Sequence, residues 1–301
     1  MQKFLLLVLV ATLIIHNKVK AQPFDKLVKL QAHSATVYHS SGYEQRAVSI
    51  AERMDKAIAY YIELLSFSPV VTLLILDTAD WKKYTTSGAV YGMPHFDEKR
   101  RLLFVAASDN PFWKSFLPPL EKLPSALRNQ VESVYKKEDS LISMEAFFDL
   151  LALHELGHAF HMQAGLTMQR KWLGELFVNI LLHSYIAGKE PASLPALTLF
   201  PKMVIGNGVG GFKYTRLADI EERYDEIGRD YPNNYGWYQC RWHSAAAIIY
   251  DTAGKLVGKR IWEALSSQKE RLSDEQLLVF LATAEQAVAA MVTDWDRDII
   301  R

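Results

Sequence analysis

The stretch "LALHELGHAFHMQAGLTMQRKWLGELF", residues 151–177, places ionisable side chains inside a mostly apolar sequence. His154 and His158 are four residues apart, and Glu155 lies between them. Residues four apart on an α-helix lie one turn apart on the same face, so both imidazoles can point at one position. Two imidazoles and a carboxylate in an apolar helix cost free energy unless they have partners. The pattern predicts a ligand-binding group on a helix over about residues 143–163.

A single zinc ion is the cofactor that this spacing favours. Neutral imidazole is a good zinc ligand, with bonds of about 2.0–2.1 Å. Glu155 lies about 100° around the helix from His154, beside the metal, where it can act as general base toward the metal-activated water. A catalytic zinc needs three protein ligands and one open position. Glu175 is the predicted third ligand, in a second helix over about 167–188 that runs back beside the first.

The segments "HELGH" and "WLGELF" of this stretch resemble the gluzincin metallopeptidases. The second segment is similar to the W-L-x-E-x-F segment of the aminopeptidase N and leukotriene-A4 hydrolase group. The resemblance covers roughly residues 145–180 and implies a gluzincin-like fold, zinc ligation by His154, His158 and Glu175, and hydrolysis of peptide bonds with Glu155 as general base. The interval between the second histidine and the glutamate is slightly shorter than in that group, and its exopeptidase motif G-A-M-E-N is absent. The choice between endopeptidase and exopeptidase therefore stays open.

A fainter similarity continues in "NNYGWYQCRWHSAAAIIYDTAGKLVG", residues 233–258. In the resembling aminopeptidases a tyrosine opens a helix that ends in a glycine, and its hydroxyl stabilises the oxyanion of the tetrahedral intermediate. Counting back from Gly254, the resemblance assigns this role to Tyr238, with Tyr235 as the alternative. A phenol suits the task because it can donate to a developing oxyanion.

Five further polar side chains of this region have a structural or a functional interpretation. His161 lies three residues after His158, which matches no third-ligand spacing of the metzincin type, and is predicted to be structural. His183 is predicted to be a packed or surface histidine rather than a ligand. Asn179 either hydrogen-bonds a ligand histidine or is an ordinary polar helix residue. His243 and Arg241 are candidates for the lining of the cleft.

The rest of the chain predicts an α+β fold. A small N-terminal mixed α/β portion with a mainly antiparallel sheet, residues 22–138, precedes a mainly helical portion, residues 139–301, that carries the zinc site. Apolar residues recur at helical spacing over 43–65, behind a capping-box pattern at Ser41-Gly-Tyr-Glu44. Strands are predicted at 69–76, 87–97 and 100–108. Further helices are predicted at 124–137, 215–229 and 236–256, with a last helical region behind the capping box at Ser273. A Gly/Pro-rich loop is predicted at 188–212.

The N-terminus and the composition bear on location and partners. Lys3 and the apolar run 4–15, which is too short to span a bilayer, predict a signal peptide over residues 1–21. Cys240 is the only cysteine, cannot pair within the chain, and is predicted to be a small buried residue. Basic and acidic side chains balance at 34 each, which offers no basic excess for nucleic acid.

These features predict an exported zinc metallopeptidase, periplasmic or secreted, that acts on a peptide or protein substrate. No membrane span is expected after signal cleavage, and the oligomeric state is left open. In gluzincins a sheet edge in the position of residues 87–108 binds the extended peptide by strand addition. Two alternatives remain: a zinc hydrolase of a non-peptide amide or ester, and a non-catalytic zinc-containing binding protein. The presence of Glu155 disfavours the second alternative, because a purely structural site has no use for that carboxylate.

Overall fold

The computed structural model describes residues 24–137 and 139–296. The predicted signal peptide therefore lies outside the described residues. Within the described ranges, no helix combines the length and the apolar character needed to cross a membrane. One sheet lies in the N-terminal part and helices follow it, which confirms the predicted α+β class.

The N-terminal part contains one five-stranded sheet. Its strands are β1 (Val28–Leu30), β2 (Thr36–His39), β3 (Thr72–Leu76), β4 (His95–Asp97) and β5 (Leu102–Ala106). Their order in the sheet is β1-β2-β3-β5-β4, in which the two central pairs are parallel and the two outer pairs are antiparallel. The prediction of a mainly antiparallel sheet is wrong. Neighbouring parallel strands need a crossover connection, and helix α1 (Glu44–Leu65) supplies it between β2 and β3.

Several boundaries differ from the sequence prediction. The predicted strand at 87–97 is reduced to β4. The strands β1 and β2 were not predicted, because three or four residues are too few for a periodic signal. Helix α1 begins where the sequence predicted, but its cap residue is Tyr43 and no side chain caps it, so the predicted capping box does not form.

Helices make up the remainder of the described chain. The N-terminal part adds α2 (Thr78–Tyr84), α3 (Pro111–Lys114) and α4 (Ser125–Tyr135). The C-terminal part contains α5 (Glu145–Gln163), α6 (Lys171–Lys189), α7 (Leu194–Gly206), α8 (Leu217–Asp230), α9 (Pro232–Ala253), α10 (Val257–Ser267), α11 (Asp274–Ala284) and α12 (Gln286–Asp294). Helix α6 is buried along most of its length and packs against α5 and α9, and α5 also contacts β4 and β5. One hydrophobic core therefore runs from the sheet into the helices.

Helix α7 occupies most of the segment 188–212, where the sequence predicted a loop. The glycines and prolines of this segment indicate a loop, and Pro201 lies inside the helix although proline lacks the N–H that an interior helical turn uses. The structure keeps the helix, with Leu197 and Phe200 buried and the helix packed on α9. Burial of this apolar face outweighs the local propensity.

Helices α5 and α6 approach each other closely at Gly157. A Cβ atom at this position would lie 2.9 Å from the Cβ of Val178 on α6. The absence of a side chain at Gly157 therefore lets the face of α5 that carries the two histidines lie against the face of α6 that carries Glu175.

Candidate metal centre

The structure brings His154, His158 and Glu175 together between α5 and α6. The Nε2 atoms of the two histidines are 3.2 Å apart. Oε2 of Glu175 lies 3.3 Å from Nε2 of His154 and 3.7 Å from Nε2 of His158. A point in the plane of these three atoms is about 2.0 Å from each of them, which is the bond length that zinc makes to imidazole and carboxylate. The group therefore has the dimensions of a three-ligand metal site.

The hydrogen bonds of the ring nitrogens support the same interpretation. Nδ1 of His154 lies 3.2 Å from Oδ1 of Asn179, whose amide nitrogen donates to the backbone carbonyl of Glu175 at 2.9 Å. Because the amide oxygen faces the ring, Nδ1 of His154 carries the hydrogen and Nε2 presents a lone pair to the centre. A lone pair facing a second imidazole nitrogen and a carboxylate in a buried site is unfavourable unless a cation or a proton lies between them. The donor set thus fits a cation, and Asn179 takes the hydrogen-bonding role rather than that of an ordinary polar residue.

His161 supports the second histidine. Its Nε2 lies 2.9 Å from Nδ1 of His158, and its ring packs against Phe177. His161 is buried, as expected of a structural histidine, and burial together with the neighbouring His158 lowers its pKa to about 3. It is therefore a neutral imidazole that holds the orientation of His158.

Glu155 lies beside the three-ligand group and bonds to the sheet. Its Oε2 accepts a hydrogen bond of 2.9 Å from the backbone N–H of Phe96 in β4. Burial raises the pKa of Glu155 most, His154 and the Phe96 amide lower it, and Glu175 raises it, with a resulting pKa of about 7. A carboxyl group with a pKa near neutrality suits an exchange of protons at physiological pH.

Glu175 is held by residues that the sequence did not single out. The Tyr224 hydroxyl donates to Oε1 at 2.6 Å, and the Gln239 side chain donates to Oε2 at 3.0 Å. Although burial alone would raise the pKa of Glu175, the two histidines and their hydrogen bonds bring it well below its ordinary value. Tyr224 and Gln239 lie 49 and 64 residues further along the chain, and no spacing in the sequence connects them with the motif.

The structure does not bring Tyr238 to this group. Its hydroxyl donates to the backbone carbonyl of Arg216 at 2.8 Å, and its ring stacks on Trp242 and Trp295. The alternative, Tyr235, is nearer, because its hydroxyl lies 2.9 Å from that of Tyr224. The geometry thus favours Tyr235 over Tyr238 as a neighbour of the site.

The remaining candidates lie around the group rather than in it. His183 packs against the ring of Tyr250, and the centroid of the His243 ring is 6.2 Å from that of His154. Arg241 stacks over Trp295, with 4.2 Å between the guanidinium carbon and the ring centroid, so its charged end lies with that ring.

Comparison with known proteins identifies no family for this chain. No protein-family model matches the chain, and a search of curated proteins finds no match either.

Proposed function

We propose that the protein is an exported zinc metallopeptidase of gluzincin type. The observation that carries this proposal is the convergence of three ligand atoms, two from His154 and His158 on α5 and one from Glu175 on α6. The Glu155 carboxylate, on the same helix as the two histidines, lies beside them. A purely structural zinc site has four protein ligands and no adjacent base. Three ligands and a neighbouring carboxylate are the combination that hydrolysis requires.

Glu155 has the position of a general base. A bound zinc ion would lower the pKa of a water molecule at the open position to about 7. Glu155 would take a proton from this water and pass it to the leaving amine. The Phe96 amide holds Oε2 of Glu155, so the carboxylate keeps one orientation and Oε1 can carry the proton.

The position of β4 supports a peptide as the substrate. This strand pairs only with β5 among the described strands, so it forms one edge of the sheet. Phe96, at the centre of β4, donates its amide to Glu155, which places the edge directly beside the base. An extended peptide can add to such an edge through its main chain, using groups other than the Phe96 amide, which Glu155 accepts. The scissile bond of a peptide bound there would lie near Glu155 and the zinc ligands.

The experiment that tests the proposal compares the wild type with Glu155→Gln. Both proteins are analysed for bound metal and then incubated with a peptide library. We expect about one zinc ion in each protein, cleavage by the wild type, and a loss of at least about 100-fold in rate for the variant, because it lacks the general base. Glu263→Gln is the matched control, since Glu263 is 61% exposed on α10 and lies outside the site. It should cleave at the wild-type rate.

The other outcomes identify the alternatives. Zinc content without cleavage of peptides, together with hydrolysis of simple amides or esters that depends on Glu155, would point to a non-peptide hydrolase. Equal behaviour of wild type and Glu155→Gln in every assay would point to a non-catalytic binding protein.

Export rests on residues 1–21 and has its own test. The N-terminal sequence of the protein recovered from outside the cytoplasm should begin at Gln22, because the predicted cleavage is directly after Ala21. A sequence that begins at Met1 would contradict cleavage.

A further inference from the structure

We propose that Tyr224 and Gln239 are positioning residues that hold Glu175 as a ligand through one oxygen only. The inference rests on the proposed metal centre and goes beyond its three ligands. It begins with the difference between the two carboxylate oxygens. Oε2 faces the two imidazole nitrogens at 3.3 and 3.7 Å, whereas Oε1 accepts the Tyr224 hydroxyl at 2.6 Å.

The protons of this cluster have one consistent arrangement. Tyr224 has a single hydroxyl proton, and it donates this proton to the ionised carboxylate of Glu175 in the 2.6 Å hydrogen bond. The Tyr235 hydroxyl, 2.9 Å away, must then donate its own proton to the Tyr224 oxygen. Gln239 donates from its amide nitrogen both to Oε2 of Glu175 at 3.0 Å and to the Tyr235 oxygen at 2.9 Å. The four side chains thus form a closed ring of hydrogen bonds.

This ring determines how Glu175 can bind a metal. With Oε1 engaged by Tyr224, the carboxylate is kept from turning both oxygens toward the ion. Ligation through Oε2 alone leaves the fourth position of a tetrahedral site open, and a chelating carboxylate would crowd that position. Tyr224 and Gln239 therefore act on the open coordination position through Glu175.

The backbone of α8 shows how Tyr224 reaches Glu175. Arg223, the residue before it, has φ −120° and ψ 25°, which interrupts the helix. Two contacts then hold α8 against the first turn of α6: Glu221 accepts the backbone N–H of Lys171 at 2.6 Å, and the Lys171 ammonium lies 5.6 Å from the centre of the Tyr224 ring. Both contacts are made one turn before Glu175 on the same helix, so the position of Tyr224 is fixed relative to its target.

The experiment measures metal binding rather than turnover. Zinc affinity is obtained by competition with a chromophoric chelator, and Co²⁺ is titrated as a spectroscopic probe, for wild type, Tyr224→Phe and Gln239→Met. We expect zinc affinity to fall by about 10–100-fold in both variants, the range typical for loss of a hydrogen bond to a metal ligand. We also expect a weaker visible Co²⁺ band in Tyr224→Phe, because the freed oxygen raises the coordination number.

Tyr214→Phe is the matched control. The Tyr214 hydroxyl also donates to a glutamate of α8, Glu226, at 2.9 Å, so this variant removes the same kind of bond from the same helix without touching Glu175. Zinc affinity and the Co²⁺ spectrum of Tyr214→Phe should equal those of the wild type. If Tyr224→Phe fails to fold, Gln239→Met decides the matter.

The outcomes separate this inference from the peptidase proposal. Wild-type affinity and an unaltered Co²⁺ band in both variants would overturn the positioning role and leave the peptidase proposal standing. A protein that binds zinc, responds to these substitutions and cleaves no peptide would support the positioning role and remove the peptidase. Absence of zinc binding in the wild type would overturn both.

Discussion

Glu155 and Glu175 are two carboxylates beside the same imidazoles, yet their surroundings drive their acidities apart. Burial raises the pKa of Glu155 to about 7, and its one backbone hydrogen bond from Phe96 does not offset this. The pKa of Glu175 is lowered although the side chain is buried, because both histidines interact with it. Paired groups whose environments separate their pKa values indicate different chemical roles. Glu175 stays ionised as a ligand, and Glu155 is suited to exchange a proton.

The variant Tyr238→Phe tests whether Tyr238 stabilises the oxyanion, as the resemblance implies, or only packs away from the site, as the structure indicates. The Tyr238 hydroxyl donates to the carbonyl of Arg216, so we expect the variant to lose about 1 kcal/mol of unfolding free energy, because that carbonyl then keeps only the 3.4 Å bond from the Ile220 N–H. We expect zinc affinity and the rate of peptide cleavage to stay within a factor of about two of the wild type, because the metal centre is unaltered and the activation free energy of cleavage stays the same. Urea unfolding and cleavage rates measure both effects. Loss of turnover with zinc still bound would restore the role that the resemblance assigns to Tyr238.

The spacing of His154 and His158 could be interpreted from the sequence because a helix fixes which residues share a face. Glu175 could be inferred because its helix follows directly and must pack back. Tyr224 could not, since its contact with Glu175 depends on the path of the chain between α6 and α8 and on the interruption of α8 at Arg223. The sequence thus predicts contacts within an element and between successive elements, and it misses those that long-range packing creates.

The same limit applies to the secondary structure. The sequence predicts helix α1 nearly to the residue, because its apolar positions recur over six turns. The sequence does not predict helix α7, because its glycines and prolines indicate a loop, whereas the structure buries the apolar face of this segment against α9. The parallel direction of the central strands has a sequence signal that the prediction does not use: β3 and β5 are continuous apolar runs buried on both faces, a pattern typical of parallel strands.

The contact between α5 and α6 predicts the effect of Gly157→Ala. An added Cβ would lie 2.9 and 3.0 Å from the Cβ and Cγ1 of Val178, so the helices must move apart. We expect a loss of about 1–3 kcal/mol of unfolding free energy, as for other overpacked sites. Zinc affinity should also fall, because Val178 lies one turn from Glu175. Urea unfolding with chelator and zinc competition measure the two effects.

Gly188→Ala is the control for that substitution. Gly188 lies in the last turn of the same helix as Val178, and no atom lies within 4 Å of an added Cβ. This variant should gain up to about 1 kcal/mol, because alanine is the better helix former. Equal unfolding free energies for Gly157→Ala and Gly188→Ala would contradict the close approach.

The packing of α9 against α5 predicts a dependence of stability on pH. Burial lowers the pKa of His243 most, His154 and His183 also lower it, and Glu175 raises it, with a resulting pKa of about 3. Between this pKa and the ordinary value of about 6.5, the His243 side chain is protonated in the unfolded chain and neutral in the folded chain. The stability of the folded chain therefore does not suffer from His243 protonation above about pH 6.5, and it falls as the pH decreases toward 3. At pH 5 the loss amounts to roughly 2 kcal/mol.

His243→Gln tests this assignment. With chelator present, so that metal release does not contribute, the fall in unfolding free energy between pH 7.5 and pH 5 should be smaller in the variant by roughly 2 kcal/mol. The same pH profile in both proteins would show that His243 is not the residue responsible.

At the scale of the whole molecule, one apolar core holds the chain together and no disulfide assists it. Cys240 is buried and free, as expected of a small packed residue. The core extends from β3 and β5 through α5 and α6 to α9. The ligand group lies inside this core, where α5 and α6 meet and where Tyr224 of α8 and Gln239 of α9 reach Glu175. A metal at this place would link four helices.

Metal removal should therefore lower the melting temperature of the whole protein. A ligand that binds only the folded chain stabilises it by about 2.7 kcal/mol at a free concentration 100 times its Kd. For a chain of this size that corresponds to a shift of roughly 4–5 °C. Differential scanning calorimetry with increasing free zinc, set against chelator, measures the shift. Because the shift depends on binding and not on catalysis, Glu155→Gln should show it in full and His158→Asn should lose most of it. A wild-type melting temperature that is the same in zinc and in chelator would contradict a metal centre at this position in the core.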